Sequence, residues 1–524
     1  MFKNNLNPPI DFNINFLPNG HITKPAILNN CIPKGMPIIV KHNVIPENNN
    51  ASAHSNPPKI IQIILPNVFI YISPKFIIIL LIIIIFISIV FLFISLIDFT
   101  IFIWFNNHIE RLMVIVMGKA NLVVGQSGGP TCVINSSLYG VIKEAIKNEK
   151  IDKVFGALNG VNGLINDRLV TLNDLDNENL ELLKQTPSAI LGSVRYCLKD
   201  DFNHEDYDKI LQTFKKHNIR YFLYIGGNDS MDTVMKLSKY FKESDYECYV
   251  LGVPKTIDND LVKTDHTPGY GSAIRFIANT VHQVKEDTLC YKEGRITIIE
   301  IMGRDAGWLT AGAKLACLNG NNPDLIYLPE SVFDIDKFLR KVQEIYDRKR
   351  KVLVCVSEGI RNENGEYILN VIGNNVDSDV FGHAQLGGVA NALAIFVKEK
   401  LNIPTRGIEL NLLQRCSSNL SSNSDIKEAA NCGRHAVRYV TKQHTGKMVI
   451  MVRENSNSYK ISYTLTDINQ IANQIKFFPK EWIIDGCDIS KEFIDYALPL
   501  INKDYKNKYE NGMVKFASIK SLIK

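Results

Sequence analysis

From Asn121 onward the chain is built from short apolar runs, each closed by a polar or glycine-rich loop and followed by apolar residues at helical spacing. That alternation is the pattern of βα units in a parallel sheet. The run 121–124 leads into Gly125-Gln126-Ser127-Gly128-Gly129-Pro130, after which Ile134, Leu138, Val141, Ile142 and Ala145 repeat on one helical face. The run 221–225 leads into Gly226-Gly227-Asn228-Asp229-Ser230, then Val234, Leu237 and Tyr240. Likewise 249–253 leads into Pro254-Lys255-Thr256-Ile257-Asp258-Asn259-Asp260, 296–301 into Met302-Gly303-Arg304, and 352–356 into Ser357-Glu358-Gly359. In open α/β sheets ligands sit beyond the carboxyl ends of the strands, where each of these loops falls. The loops are therefore expected to converge on one cleft. No motif occurs twice, which excludes a fused tandem repeat.

Charge narrows the function. Lys and Arg total 59 against 54 acidic residues, and residues 1–116 hold 7 of the former and 4 of the latter, leaving 52 against 50 beyond. A nearly neutral body carries no polybasic nucleic-acid surface, so any anion site must be local. The ten cysteines show no CxxC pair and no metal-ligand spacing, as expected of a reduced, intracellular compartment. At 524 residues there is room for a large two-lobed enzyme.

Three loops carry chemistry beyond their turns. Ser127-Gly128-Gly129-Pro130 offers backbone N–H groups and a helix N-terminus suited to phosphate. It lacks the GK[ST] ending of a Walker A loop, and two glycines between a strand and a helix are also plain architecture. Residues 226–230 repeat the geometry with a carboxylate added. Asp229 there either holds phosphate-bound Mg²⁺ or, with Ser230, merely caps the following helix. Residues 254–260 pack a Lys, a Thr and two carboxylates into one loop after a buried strand. Phosphoryl transfer to an alcohol needs a base for the hydroxyl proton and cations for the phosphate charge, and this loop supplies both. Turns favour Asp and Asn, but the whole heptapeptide is too specific for a generic turn.

The segments SGGPT, GGNDS, PKTIDND, TPGYGSA, MGRDAGWLTA, SEG and TRGIELNLLQR stand in the order and approximate spacing of the phosphofructokinase family, which the chain resembles from about Lys119 to its C-terminus. The resemblance implies an α/β, two-lobed phosphofructokinase-type fold over residues 117–524, with parallel-rich sheets flanked by helices and the site between the lobes. It implies that Asp258 is the base for the sugar 1-hydroxyl, with Thr256, Ile257 and Asp260 beside it, and that Lys255 and Arg304 assist the transfer. Gly129 and Arg195 would contact the phosphate donor, with Asp229 and Lys255; Asn228 and Asp229 would take Mg²⁺. Arg295, Met302, Gly303, Arg304, Glu358, Arg406, Leu412 and Arg415 would line the sugar-phosphate side. In the family two of these arginines, here Arg295 and Arg406, reach in from a neighbouring subunit, so a homo-oligomer is implied. Two positions depart from the family pattern. Asn228 stands where an Asp usually binds Mg²⁺, and Leu412 where His or Tyr usually meets the 6-phosphate, which keeps a heptulose phosphate open beside fructose 6-phosphate.

Donor choice rests on Asp229 and Lys255. ATP-using members resemble GGDGS and PGTIDND, with glycine at both places. Asp229 puts charge and bulk where the α-phosphate of ATP must lie, and Lys255 supplies a cation for a shorter donor. Pyrophosphate is the expected donor. The ATP-dependent kinase is the first alternative; a silent regulatory or membrane-tethered subunit is the second, and it would be expected to lose Asp258 or the arginines.

Residues 1–116 read differently. The stretch 76–97 is a run of 22 uncharged residues, where roughly 20 span a bilayer, and alone it predicts a transmembrane helix. Lys59 and Lys75 precede it while Asp98, Glu110 and Arg111 follow, so the positive-inside rule would put the enzyme body outside the cytosol, away from sugar phosphates. Met113 and Met117 stand just before the first ordered motif. The two readings are a membrane anchor and a start site placed too early; without the anchor the expectation is a cytoplasmic enzyme.

Overall fold

The eleven strands that form two large sheets are, in chain order, β1 (Ala120–Gln126), β2 (Ile151–Ala157), β3 (Leu169–Thr171), β4 (Ile219–Gly226), β5 (Tyr249–Pro254), β6 (Arg295–Ile301), β7 (Leu325–Tyr327), β8 (Lys351–Ser357), β9 (Thr405–Glu409), β10 (Lys447–Arg453) and β11 (Ile461–Asp467). They belong to a computed structural model that describes residues 118–523 except 374–386 and 457. The expected span 76–97 lies outside the described residues. Among the described residues no helix is long and apolar enough to cross a membrane.

The first sheet has the order β11-β10-β5-β4-β1-β2-β3. Its five inner strands run parallel, and β3 and β11 close the edges antiparallel. The second sheet, β7-β8-β6-β9, is parallel throughout. All five strand runs expected from the sequence are present. Their continuous apolar character follows from burial on both faces. In β4, Phe222 and Tyr224 join one core while Leu223 and Ile225 join the other; in β6, Ile296 and Ile298 face away from Ile299 and Ile301.

Four helices matter for the site: α1 (Ile134–Ala145) after β1, α2 (Asn228–Glu243) after β4, α3 (Tyr270–Cys290) after the β5 loop, and α4 (Asn423–Val440). Contact between α1 and α4 is close enough that a Cβ on Gly140 would lie 1.9 Å from the Ala430 carbonyl oxygen. The TPGYGSA segment builds the start of α3. Gly269 there has φ +111°, and the Asp425 carboxylate accepts the Gly269 and Ser272 N–H groups at 2.9 and 2.8 Å. A carboxylate from α4 thus satisfies two of the donors that a helix start leaves open.

Candidate active site

The loop after β1 is fastened to the segment that carries Arg195. Ser127 Oγ and the Gly128 N–H both donate to the Val194 carbonyl, at 3.4 and 3.3 Å, and Ser193 Oγ donates to the Gly128 carbonyl at 2.6 Å. Lys255 reaches the same loop from β5. Its Nζ donates to the Gly129 carbonyl at 2.7 Å, and the residue is 2% exposed. Burial draws this ammonium down to about 8, although Asp258, Asp260 and Asp229 pull the other way. Arg415, on a short helix beyond β9, also arrives here. Its Nη1 lies 2.9 Å from where a Cβ on Gly129 would stand. Burial lowers its pKa, and the nearby charge of Arg195 adds to the effect. Gly129, Arg195, Lys255 and Arg415 therefore form one cationic rim around a glycine loop, which places Arg415 beside the expected donor contacts as well as near the base.

The loop after β4 resolves the two readings of Asp229 and Ser230. Helix α2 is preceded by Gly227 at the cap position, with no side-chain cap, so neither residue caps it. Asp229 is exposed in the first turn. Ser230 packs beneath the loop: its Oγ would lie 1.9 Å from a Cβ on Gly226, which is why glycine is needed there. Asn228 turns elsewhere. Its Oδ1 accepts the Asn473 N–H and its Nδ2 donates to the Gln474 carbonyl, both at 2.6 Å.

Beside the β4 loop, on the side away from β1, lies the loop after β5. Thr256 Oγ1 donates to Asp258 Oδ2 and accepts the Asp258 N–H, each at 3.1 Å. Asn259 stands in the left-handed region at φ +55°, a conformation Asn tolerates better than most residues. Burial raises the Asp258 carboxyl, opposed by the Thr256 hydrogen bond and by the charges of Lys255, Arg304 and Arg415. Asp260 is pushed up to about 7 by burial and by the Asp258 charge. Burial thus raises both carboxyls, and the cations beside them oppose it.

The second sheet supplies the opposite wall. Gly303, at φ +140°, donates its N–H to Glu358 Oε1 at 3.1 Å. Its carbonyl accepts the Ser357 hydroxyl, and the Met302 N–H donates to Gln414 Oε1 at 3.3 Å. Gly359 is required by approach, since a Cβ there would lie 1.9 Å from the Arg304 carbonyl oxygen. Arg304 is oriented by Asp305 at 2.8 Å, and burial pushes Glu358 up to about 7.

Three expected sugar-phosphate residues stand apart. Arg295 opens β6 and pairs in register with Lys351, while Arg406 lies opposite Thr297 on the edge strand β9. Both are therefore at the amino end of the sheet, with roughly 20 Å of strand between Arg295 and the Met302-Gly303 turn. Arg295 lies over the Tyr291 ring at 3.7 Å. Leu412 is 53% exposed, just ahead of the helix that carries Arg415. The residues that sequence reasoning did not find are supports: Asp425, Gln414, Glu330 and Lys476. Asp425, Glu330 and Lys476 lie outside every quoted motif, and Gln414, though within TRGIELNLLQR, acts on Met302 from over a hundred residues away, so no local spacing announces these contacts.

Known proteins are similar to this chain in sequence and fold. The phosphofructokinase family profile matches residues 121–406. A protein of Rhodospirillum rubrum named pyrophosphate–fructose 6-phosphate 1-phosphotransferase is 38% identical over 399 residues, covering 75% of this chain and 97% of that protein. One of the same name from Xanthomonas campestris is 37% identical over 415 residues, covering 78% and 97%. The crystal structure of a pyrophosphate-dependent phosphofructokinase from Nitrosospira multiformis superposes with a TM-score of 0.70 at 31% identity, covering 77% of this chain and 97% of that one. With its cationic glycine loops and paired carboxylates at the strand ends, the chain belongs to the phosphofructokinase family.

Proposed function

We propose that the chain transfers a phosphoryl group from pyrophosphate to the 1-hydroxyl of fructose 6-phosphate, giving fructose 1,6-bisphosphate and phosphate. The observation that carries the donor assignment is the Lys255 ammonium, buried and held on the Gly129 carbonyl, with the Asp229 carboxylate on the neighbouring loop. A cation fixed at the glycine loop suits a short donor that is all phosphate. The Asp229 carboxylate meets anything continuing from it with like charge. The two relatives above bear the name of this reaction, which supports the reading.

In this mechanism Asp258 accepts the proton of the 1-hydroxyl while Thr256 fixes its carboxylate. Lys255, Arg195 and Arg415 hold the donor's charge, and Arg304 serves the acceptor side. In the reverse direction Asp258 returns the proton. Mg²⁺ suits the residues present: the Asp229 carboxylate is exposed in the first turn of α2, and Mg²⁺ typically takes one or two carboxylates plus substrate phosphates. Asp229 would hold it. The ion supplies charge neutralisation on the phosphate oxygens. Asn228 is committed to residues 473 and 474, so we assign the metal to Asp229 without it.

Protonation should follow from these environments. Asp258 accepts a proton only as carboxylate, and burial raises that carboxyl, so kcat/KM should fall on the acid side as it protonates. It should fall again as pH rises through about 8, where Lys255 loses its charge. A bell-shaped profile for pyrophosphate is expected, and Lys255→Arg should move the alkaline limb upward, since Arg stays charged. A profile flat across that range would contradict the assignment.

Arg295 and Arg406 lie too far along the sheet to reach their own chain's Glu358 loop, and Arg295 Nη1 is buried without a hydrogen-bond partner among the described residues. We place them in the site of a second copy of the chain, as part of a homo-oligomer. Mixing Asp258→Asn subunits with Arg406→Ala subunits should then restore activity that neither has alone. Absence of any recovery after subunit exchange would remove the shared-site reading.

A further inference from the structure

Residues 473–478 form a strap that touches the loops after β4 and β5 and, through Trp308 and Glu330, the segment beyond the Met302-Gly303-Arg304 turn, and nothing in the mechanism above uses it. At its start, the Asn473 N–H and Gln474 carbonyl are gripped by the Asn228 side chain at 2.6 Å each, at the head of the donor-side helix α2. Asn473 holds φ +62° to make that turn. In the middle, the Lys476 N–H donates to the Asp260 carbonyl at 2.7 Å. Its ammonium donates to Asn259 Oδ1 at 3.3 Å, to the Thr264 carbonyl at 3.2 Å and to the Asp265 carbonyl at 2.9 Å. Toward its end, the Lys476 carbonyl accepts Trp308 Nε1–H at 2.8 Å and the Phe478 N–H donates to Glu330 Oε1 at 2.8 Å. Glu330 in turn accepts the Gly307 N–H at 2.9 Å, just beyond the Met302-Gly303-Arg304 turn.

The side chain at the centre of this arrangement is unusual for its setting. Ile475 and Phe477 on either side are 39% and 58% exposed, yet the Lys476 ammonium turns inward to bind three oxygens. Lys is seldom buried without a partner, and desolvating an ammonium is costly unless its donors are satisfied. Here the partners are chiefly backbone and amide oxygens of the 259–265 segment, so the charge fixes a backbone path. That path includes the left-handed residue between Asp258 and Asp260. Tyr496 completes the grip, its hydroxyl accepting Asn259 Nδ2–H at 3.1 Å and donating to the Asp265 carbonyl at 2.9 Å.

We propose that Lys476 is a positioning residue for phosphoryl transfer, holding the Asn259 turn so that Asp258 meets the acceptor hydroxyl, within a strap that ties the donor loop to the acceptor wall. The proposal rests on Asp258 being the base. The Lys476 ammonium directs its donors at the 259–265 segment. Asn228, where the family usually has a carboxylate, serves in this chain as the strap's anchor: an amide can accept from Asn473 and donate to Gln474 at once, which a carboxylate cannot.

Loss of the grip misplaces the base without removing it. Lys476→Met in the full chain should lower kcat by about 10- to 100-fold, the scale of a small misplacement of a reacting group. KM for pyrophosphate and fructose 6-phosphate should stay within about threefold. The charged groups facing Lys476 from other elements are Asp260, Asp265 and Arg453. Removing the ammonium leaves Asp260, and with it the Asp258–Asp260 pair, with less positive charge nearby, so the acid limb of the pH profile should move upward. Lys476→Arg keeps the charge and should recover part of kcat and return the acid limb. Thermal unfolding of each variant shows whether it is folded at the assay temperature.

A folded Lys476→Met enzyme with unchanged kcat and acid limb, beside an inactive Asp258→Asn enzyme, would overturn the positioning role and leave the base in place. Equal loss in Met and Arg variants with an unmoved acid limb would also overturn it. An active Asp258→Asn enzyme would instead remove the reading on which the proposal rests.

Discussion

Asp258→Asn should lower kcat by about 10²- to 10⁴-fold, the usual contribution of a general base, while KM for fructose 6-phosphate changes little. The amide has the carboxylate's shape, and its Nδ2 or Oδ1 can still meet Thr256 Oγ1, now 3.1 Å from Asp258 Oδ2. The Asp258 N–H bond to the same hydroxyl does not involve the side chain at all. Geometry is kept and only proton acceptance is lost, so the effect should fall on turnover and not on binding. Burial raises the Asp258 carboxyl, so replacing it with a neutral group removes a buried charge, and the fold should not suffer. Steady-state kinetics in both directions check this, because the proton returned in reverse comes from the same group. Activity within tenfold of the parent in either direction would remove Asp258 from the role.

The second large effect concerns the donor. Lys255→Gly should cost pyrophosphate about 10²- to 10³-fold in kcat/KM, within the ~2–5 kcal/mol typical of removing one partner of a buried, hydrogen-bonded charge pair. The Gly129 carbonyl loses its 2.7 Å partner in the same change. It should not admit ATP, because it removes a cation without removing the block. Asp229→Gly takes away the exposed carboxylate at the head of α2 and should let ATP in. Asp229→Gly with Lys255→Gly should shift preference furthest, and since both residues act on one donor the two effects should not simply add. Kinetics of the three variants with each donor measure this; an Asp229→Gly enzyme that still turns over pyrophosphate, and so still works with Mg²⁺, yet refuses ATP would place the block elsewhere.

The sequence and the structure meet most fully where one loop does one thing. The runs before Gly125, Gly226, Pro254, Met302 and Ser357 are strands because they are buried on both faces and read as unbroken apolar stretches. Residues 254–260 were legible as chemistry because seven neighbouring residues carry it. Strands β3 and β9 were not legible. Leu169–Thr171 is three residues long, and Thr405–Glu409 is an edge strand with Arg406 exposed and Gly407 within it.

Function carried from afar was also hidden. Asp425 and Lys476 act on residues more than 150 positions away, and no spacing rule connects them. Asn228 shows the converse. In sequence it read as a weakened metal ligand; in the fold its two polar atoms are spent on Asn473 and Gln474, which no local pattern could reveal. Arg415 read as a sugar-phosphate contact and lies against Gly129 as well, because the single helical turn that bears it, Leu413–Cys416, sits within side-chain reach of the first sheet's glycine loop.

The most direct test of the account is an assay of the purified chain with fructose 6-phosphate, Mg²⁺ and either pyrophosphate or ATP. Pyrophosphate should support turnover with KM in the micromolar to millimolar range, and ATP should be poorer by about 10³-fold in kcat/KM, the scale of a like-charge block of several kcal/mol. Fructose 1,6-bisphosphate and phosphate should also yield pyrophosphate readily. Robust turnover with ATP and none with pyrophosphate would contradict the donor assignment, and with it the roles given to Asp229 and Lys255.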